Sequence, residues 1–315
     1  MFKHRSDGVF EKTADPILGM TAHLMPRRYD AMVNFLLQAR CEGLDNYIRE
    51  TYDSTGIHFS YMDVLIAAIV RMYAQKPFLN RFVMNGRVYR RNYICVSFAV
   101  KKSLTEEAPE TTVKLQFTGE ENIFEIKKMI DDVISQNKGE AGDNGTDKTA
   151  KMLTKIPNWL LKFAVNVLMW MDRHNCLFKK IIEVSPFHTS CFVTNMKSIS
   201  TDYVHHHLYD FGTTSMFVGL GKEHIEPVVN EETNTLETGK VLRLGVVIDE
   251  RICDGFYYAK SIKLVRRFLQ NPKLLEENYK IPFKDRVLSN KQLRQRKREK
   301  KRLCKCVKRA LKAKK

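Results

Sequence analysis

Residues 241–272 constrain the fold more than any other stretch of the chain. The run VLRLGVVI (241–248) alternates apolar residues and then merges into a continuous apolar block, the pattern of a strand entering a core. A charged turn follows: Asp249-Glu250-Arg251-Ile252-Cys253-Asp254-Gly255. The next residues, FYYAKSIKLVRRFLQNP, set Ala259, Ile262, Val265 and Leu269 three or four apart on one helical face, and Pro272 stops the helix. Gly255 fits a turn whose backbone torsion other residues resist. The expected unit is strand, turn, helix.

Composition sets the outer bounds. A chain of 315 residues, 43% hydrophobic, builds one large domain or two modest ones with a substantial core. Seven cysteines, mostly inside apolar runs, suit reduced core thiols in a cytoplasmic protein better than a disulfide framework. Cys304-x-Cys306 has no second Cys/His pair nearby, so no metal is expected there. The N-terminal residues lack the apolar segment of a secretory signal. No run approaches the roughly 20 apolar residues that span a bilayer. The net charge of +17 is uneven: residues 291–315 carry +13 of it, leaving +4 for the rest. We therefore divide the chain into a domain over 1–284 and a basic tail over 285–315.

Along the domain, 31–40 predicts a strand and 44–52 a helix. Residues 60–73 predict a buried helix, with Ser60 and Asp63 spaced as a capping box. Strands are expected at 87–93, 94–101 and 111–117. An amphipathic helix is expected at 122–136, where Ile123, Ile126, Ile130 and Ile134 share a face. The Gly/Asn/Asp-rich stretch 137–149 predicts a loop. Residues 156–174 form a helix apolar around most of its circumference, a pattern that usually means burial, with an interface or membrane-surface helix as the alternative. Residues 191–196 and 216–220 predict strands, and 223–240 a polar hairpin leading into 241–248.

The unit at 241–272 resembles the C-terminal signature of the chloramphenicol acetyltransferase superfamily, His-x-x-x-Asp-Gly before an amphipathic helix ending near Asn-Pro. That superfamily includes the catalytic domain of the dihydrolipoyl acyltransferase of 2-oxo acid dehydrogenase complexes. Pro77-Phe78-Leu79-Asn80, the strand YICVSFAV (93–100) and Cys191-Phe192-Val193-Thr194-Asn195 resemble other family segments. In all, the similarity runs from about Arg27 to Pro272. It implies an α/β two-layer sandwich, a large mixed sheet covered by helices, assembling as a homotrimer around a channel for coenzyme A or acyl-CoA. By resemblance, Thr194 is the hydroxyl that stabilises the oxyanion and Asn195 its companion. Asp254 is the structural carboxylate of the turn, paired with Arg27 or Arg28, or alternatively the cap of the helix. The family's catalytic histidine falls on Glu250.

Two replacements for that base are open. Burial can raise a glutamate by several units, which would let Glu250 act. His205, His206 and His207 offer an imidazole near the expected channel, with an ordinary pKa near ~6.5. The three histidines are read as channel lining, as base or substrate contact, or as metal ligands. Neighbours in an extended run point to opposite sides, so at most two converge. Thr213 and Thr214 would add hydroxyls to the channel. With no lipoyl-bearing segment recognisable, a conventional dehydrogenase-core role is not expected. The readings in view are a thioester-dependent acyltransferase, a catalytically silent scaffold or ligand-binding trimer of that fold, and a binder of anionic surfaces or nucleic acid through 291–315. That tail lacks aromatic residues, so base stacking is not expected.

Overall fold

The longest strand, β10 (Thr235–Asp249), organises the molecule. The structure is a computed structural model that describes residues 5–11, 15–101, 110–137, 156–230 and 233–281. Along β10, residues 241–249 pair with β2 (Met32–Arg40), 244–248 with β8 (Met216–Leu220), and 235–241 with β9 (His224–Asn230). Beyond β8 lie β7 (Cys191–Asn195), β5 (Ile94–Lys101) and β6 (Glu110–Phe117), giving the order β2-β10-β8-β7-β5-β6. β7 runs parallel to both β8 and β5, and the other pairs are antiparallel, so the seven-stranded sheet is mixed.

Period-two alternation gives this sheet two different faces. Leu37, Val193, Val218, Leu244, Val246 and Ile248 point into the main core with α2 (Glu42–Thr55), α3 (Tyr61–Gln75), α4 (Ile123–Asn137) and α7 (Gly255–Gln270). The alternate residues Phe192, Phe217 and Val247 form a separate cluster with Leu208 on the opposite face. Helices on one side of a large mixed sheet make the expected two-layer α/β sandwich.

α3 is buried nearly throughout, and full burial of a side chain such as Leu65 or Ile69 contributes about 1.5–3 kcal/mol. Its start is the capping box the sequence predicts. Asp63 accepts from the Ser60 backbone N–H at 2.8 Å, and Ser60 Oγ accepts from the Asp63 N–H at 3.2 Å. A second, antiparallel sheet joins β1 (Gly8–Phe10), β4 (Arg87–Arg91) and β3 (Arg81–Met84). Between β3 and β4, Asn85 and Gly86 both have positive φ, 49° and 67°, as a two-residue Asn-Gly hairpin turn requires.

α1 (Pro16–Leu24) and α6 (Lys179–Val184) complete the regular elements, together with α5 (Asn158–Arg173). α5 overturns the expectation of burial. Its underside is half-buried, but Trp159, Phe163 and Trp170 are 73%, 63% and 58% exposed. Its hold on the body is at its C-terminal end, where Asp172 is buried. Arg5 Nη2 donates to Asp172 at 2.7 Å, the Gly212 N–H at 3.3 Å, and His188 Nε2 lies 3.3 Å away. Arg5 also pairs with the buried Asp7 at 2.8 Å. Ser185, His188 and Asp172 follow one another at hydrogen-bond distance, but His188 is fully buried, so the row ties elements together inside the body. Burial works against the Asp172 charge. The bonds from His188 and Arg5 outweigh it and hold the carboxyl well below the usual range.

The loop expected at 137–149 lies, beyond Asn137, outside the described residues, as do Cys304, Cys306 and the basic tail. Among the described residues, Cys41, Cys95, Cys176, Cys191 and Cys253 are free thiols, and no helix is long and apolar enough to cross a membrane.

Two stability measurements check this account. Ser60→Ala removes half of the capping box and should cost about 1 kcal/mol in denaturant unfolding. Asp172→Asn leaves Arg5 buried beside Asp7 alone and should cost about 3 kcal/mol at neutral pH. Because the folded-state pKa of Asp172 is depressed, its contribution is full above the ordinary carboxylate value and lost as pH falls. The gap between wild type and Asp172→Asn should therefore narrow below about pH 4.

Candidate active site

Two glycines clear a track across the sheet. In register, Thr194 on β7 faces Gly219 on β8, which faces Gly245 on β10. A Cβ at Gly219 would stand 2.6 Å from the Val204 carbonyl oxygen, and one at Gly245 would stand 2.4 Å from it. Only without those carbons does the segment 203–207 lie flat on the face turned away from the helices. The segment is extended, so its side chains alternate. Leu208 is buried in the small cluster with Phe192, Phe217 and Val247. His205 is exposed and its Nε2 lies 3.0 Å from the Phe35 carbonyl oxygen. His207 is exposed and edge-on to Tyr209.

His206 is the one that turns to the sheet. Its ring stacks on Phe217 with centroids 4.4 Å apart, and its Nε2 is 3.0 Å from Thr194 Oγ1. Partial burial, helped by neighbouring His207, lowers its pKa from the ordinary value. The imidazole is therefore neutral near pH 7. A neutral imidazole bonded to a hydroxyl can take a proton from an acceptor group while the hydroxyl supports developing negative charge. Two of the sequence candidates are thus in contact. Asn195 turns elsewhere: its Oδ1 accepts from the Ser198 N–H at 3.2 Å and caps a short turn.

The signature turn is built differently from the expectation. Its structural carboxylate is Asp249, which is fully buried and accepts from Arg251 Nε at 2.8 Å, Arg251 Nη2 at 2.7 Å and the Arg251 N–H at 3.1 Å. Arg28 Nε stands 3.7 Å from the same carboxylate. Burial pulls the Arg28 pKa down to about 10, although Asp249 favours its charged form. Arg28 also donates to the carbonyls of Tyr209 and Gly212, tying the chain after the histidines to the end of β10. Asp254 is the helix cap, accepting from the Tyr257 N–H at 2.9 Å. The pairing of Asp254 with an arginine is not made among the described residues, because Asp249 is the one that points inward. Arg27 is exposed and bonds Tyr29. Gly255 begins α7 with open space around its Cα and no positive φ, so the torsional reason given for it does not hold.

Glu250 is exposed, and its backbone N–H donates to the Ala31 carbonyl at 3.0 Å. It lines a cleft of about 540 Å³ between β2 and α7, with Val33, Phe35, Tyr258, Ile262 and, further along the helix, Lys263 and Arg266. Thr194 and this cleft lie apart within one chain. Thr194 is level with Gly219, whereas the Asp249 N–H reaches the Ser215 carbonyl. Four residues of strand put the Glu250 end of the cleft roughly 13 Å along the sheet from Thr194, and the cleft is on the opposite face.

Thr213 and Thr214 are bonded within the body. Both are buried: Thr213 Oγ1 accepts from Arg91 Nη1 at 2.9 Å, and Thr214 Oγ1 donates to the Phe187 carbonyl at 2.7 Å. Among the described residues, no group of three or more His, Cys, Asp or Glu side chains is placed to hold a metal ion.

No protein-family model and no curated protein sequence matches the chain. Solved structures do. A probable dihydrolipoamide acetyltransferase from Listeria monocytogenes superposes with a TM-score of 0.53 at 13% identity, covering 86% of this chain and 98% of the other. The dihydrolipoamide acetyltransferase of Azotobacter vinelandii, studied for the catalytic roles of a serine, a histidine and an asparagine, gives 0.53 at 13% identity over 82% and 87%. A chloramphenicol acetyltransferase gives 0.50 at 12% identity over 83% and 99%. With the seven-stranded mixed sheet and its single helical layer, these matches establish that the chain has the chloramphenicol acetyltransferase-like fold of the dihydrolipoamide acetyltransferase catalytic domains.

Proposed function

We propose that this chain transfers an acyl group from a thioester of the coenzyme A type to a thiol, hydroxyl or amine acceptor, with His206 as base and Thr194 as the oxyanion-stabilising hydroxyl. The observation behind this reading is the 3.0 Å contact between Thr194 Oγ1 and His206 Nε2 on a glycine-cleared sheet face. In the proposed reaction the acceptor X–H enters beside the pair and its proton passes to His206 Nε2. X then bonds to the thioester carbon. The Thr194 hydroxyl turns to the resulting oxyanion, and collapse breaks the carbon–sulfur bond. The departing thiolate takes the proton back from His206, so the enzyme is regenerated. Glu250, Lys263 and Arg266 would meet the thioester in the β2–α7 cleft. The distance between that cleft and Thr194 supports assembly of copies, a homotrimer in this reading, in which one chain's cleft faces another's Thr194. The domain would comprise 1–284, act in the cytoplasm and leave 285–315 as a separate basic tail for an anionic partner.

A second reading is favoured by Glu250 itself. An exposed carboxylate where the signature histidine is expected suits a silent member of the fold that binds ligand without turnover.

Acetyl-CoA incubated with dihydrolipoamide, small amines or small alcohols, with free CoA resolved by chromatography, separates the two. The enzyme reading expects acceptor-dependent CoA release that falls about 100-fold or more in His206→Ala and in Thr194→Val, but only a few-fold in Glu250→Gln. Since the base works deprotonated, kcat/KM should rise with pH through a midpoint below ~6.5 and stay level at neutral pH. CoA binding with no release for any acceptor supports the silent reading. Release indifferent to His206 contradicts the assignment of the base.

A further inference from the structure

We propose that α5 is an interfacial anchor that seats the protein on an anionic lipid surface. Trp159, Phe163 and Trp170 lie within about 40° of one another around the helix at 3.6 residues per turn, and all three are exposed. On the side where Leu161, Leu168 and Met171 sit, the helix is half-buried against the body, so the aromatic stripe faces outward. Lys162 and Arg173 border the stripe and are exposed. Just beyond the helix come the exposed Phe178, Lys179 and Lys180. Among the described residues from 156 to 184 the acids are Asp172, buried against Arg5, and Glu183, which pairs with Lys179 at 3.1 Å.

A row of tryptophan and phenylalanine edged by cations is the composition that lies in the headgroup region of a bilayer. The rings bury at the acyl boundary and the lysines and arginines meet phosphates. The helix has 16 residues and does not span, so it would lie in the plane of the surface. The ionic tie at Asp172 fixes it to the body, so docking orders no new segment. Face-to-face pairing of two such helices is the poorer arrangement, because it would bring Lys162, Arg173 and Lys180 against their own like charges.

The chain's only two tryptophans are Trp159 and Trp170, so intrinsic fluorescence reports on this helix directly. The full-length protein is titrated with phosphatidylcholine vesicles containing or lacking phosphatidylglycerol, with a parallel set carrying brominated acyl chains. The proposal expects a blue shift and bromine quenching with the anionic vesicles, both weakened by salt. Phe163→Asp, which keeps both tryptophans, should lower partitioning at least about tenfold. Lys162→Glu and Arg173→Glu should each lower it about fivefold or more. Circular dichroism checks that these exposed variants remain folded. Three results would overturn the proposal. They are vesicle binding without quenching, which would place the contact elsewhere on the chain; emission already blue-shifted without lipid; and a lipid-independent shift that follows protein concentration, which would mean a protein interface.

Discussion

The candidate site depends on the absence of two β-carbons. Gly219 and Gly245 are neighbours on adjacent strands, and each would press a methyl group into the Val204 carbonyl. A close-packed interior does not absorb contacts of 2.4–2.6 Å, so any side chain at either position must lift the segment that carries the histidines. With glycine at both, the extended chain settles on the sheet and its alternation sends His206 inward and His205 and His207 outward. The stacking of His206 on Phe217, its contact with Thr194 and its lowered pKa all follow from that seating.

Buried arginines lock the two ends of this segment's surroundings. Arg28 binds carbonyls at Tyr209 and Gly212 and lies beside Asp249, so the exit of the histidine segment and the end of β10 move as one. Arg91 does the same for Thr213 and Thr189. A buried arginine is costly unless its donors are matched, and here backbone carbonyls and aspartates match most of them. The same logic holds α5 by Asp172 and leaves its aromatic face outside. A mostly apolar helix stays at the surface because one buried ion pair, rather than its own side chains, fixes its position.

Much of the architecture is legible in the sequence, for reasons of periodicity. The apolar run of β10, the 3–4 spacing of α7 and the Ser60/Asp63 box are local patterns, and local patterns survive folding. So does the resemblance carried by 241–272, which led to the sheet and its helical layer. The Asn85-Gly86 turn is an equally local signal, and the strand expected at 87–93 follows it. What failed was the choice among neighbours. Asp249 and Asp254 are five residues apart, and which one points inward depends on how β10 ends against Ala31 and Ser215. The partners of Asp172 lie far away in sequence at Arg5 and His188, so no spacing rule finds them. Thr213 and Thr214 looked like channel hydroxyls, but their bonds to Arg91 and Phe187 close inside the body. Gly219 and Gly245 read as ordinary strand residues until the segment they admit is seen.

His206 is held against Thr194 by that glycine track, and a histidine NMR titration tests this most directly. His206, assigned by the loss of its signal in His206→Asn, should titrate in wild type with a midpoint below the ordinary ~6.5. In Gly245→Val the segment is lifted, and the His206 midpoint should return toward that ordinary value. An ordinary titration in wild type, or a lowered one that persists in Gly245→Val, would contradict the central claim.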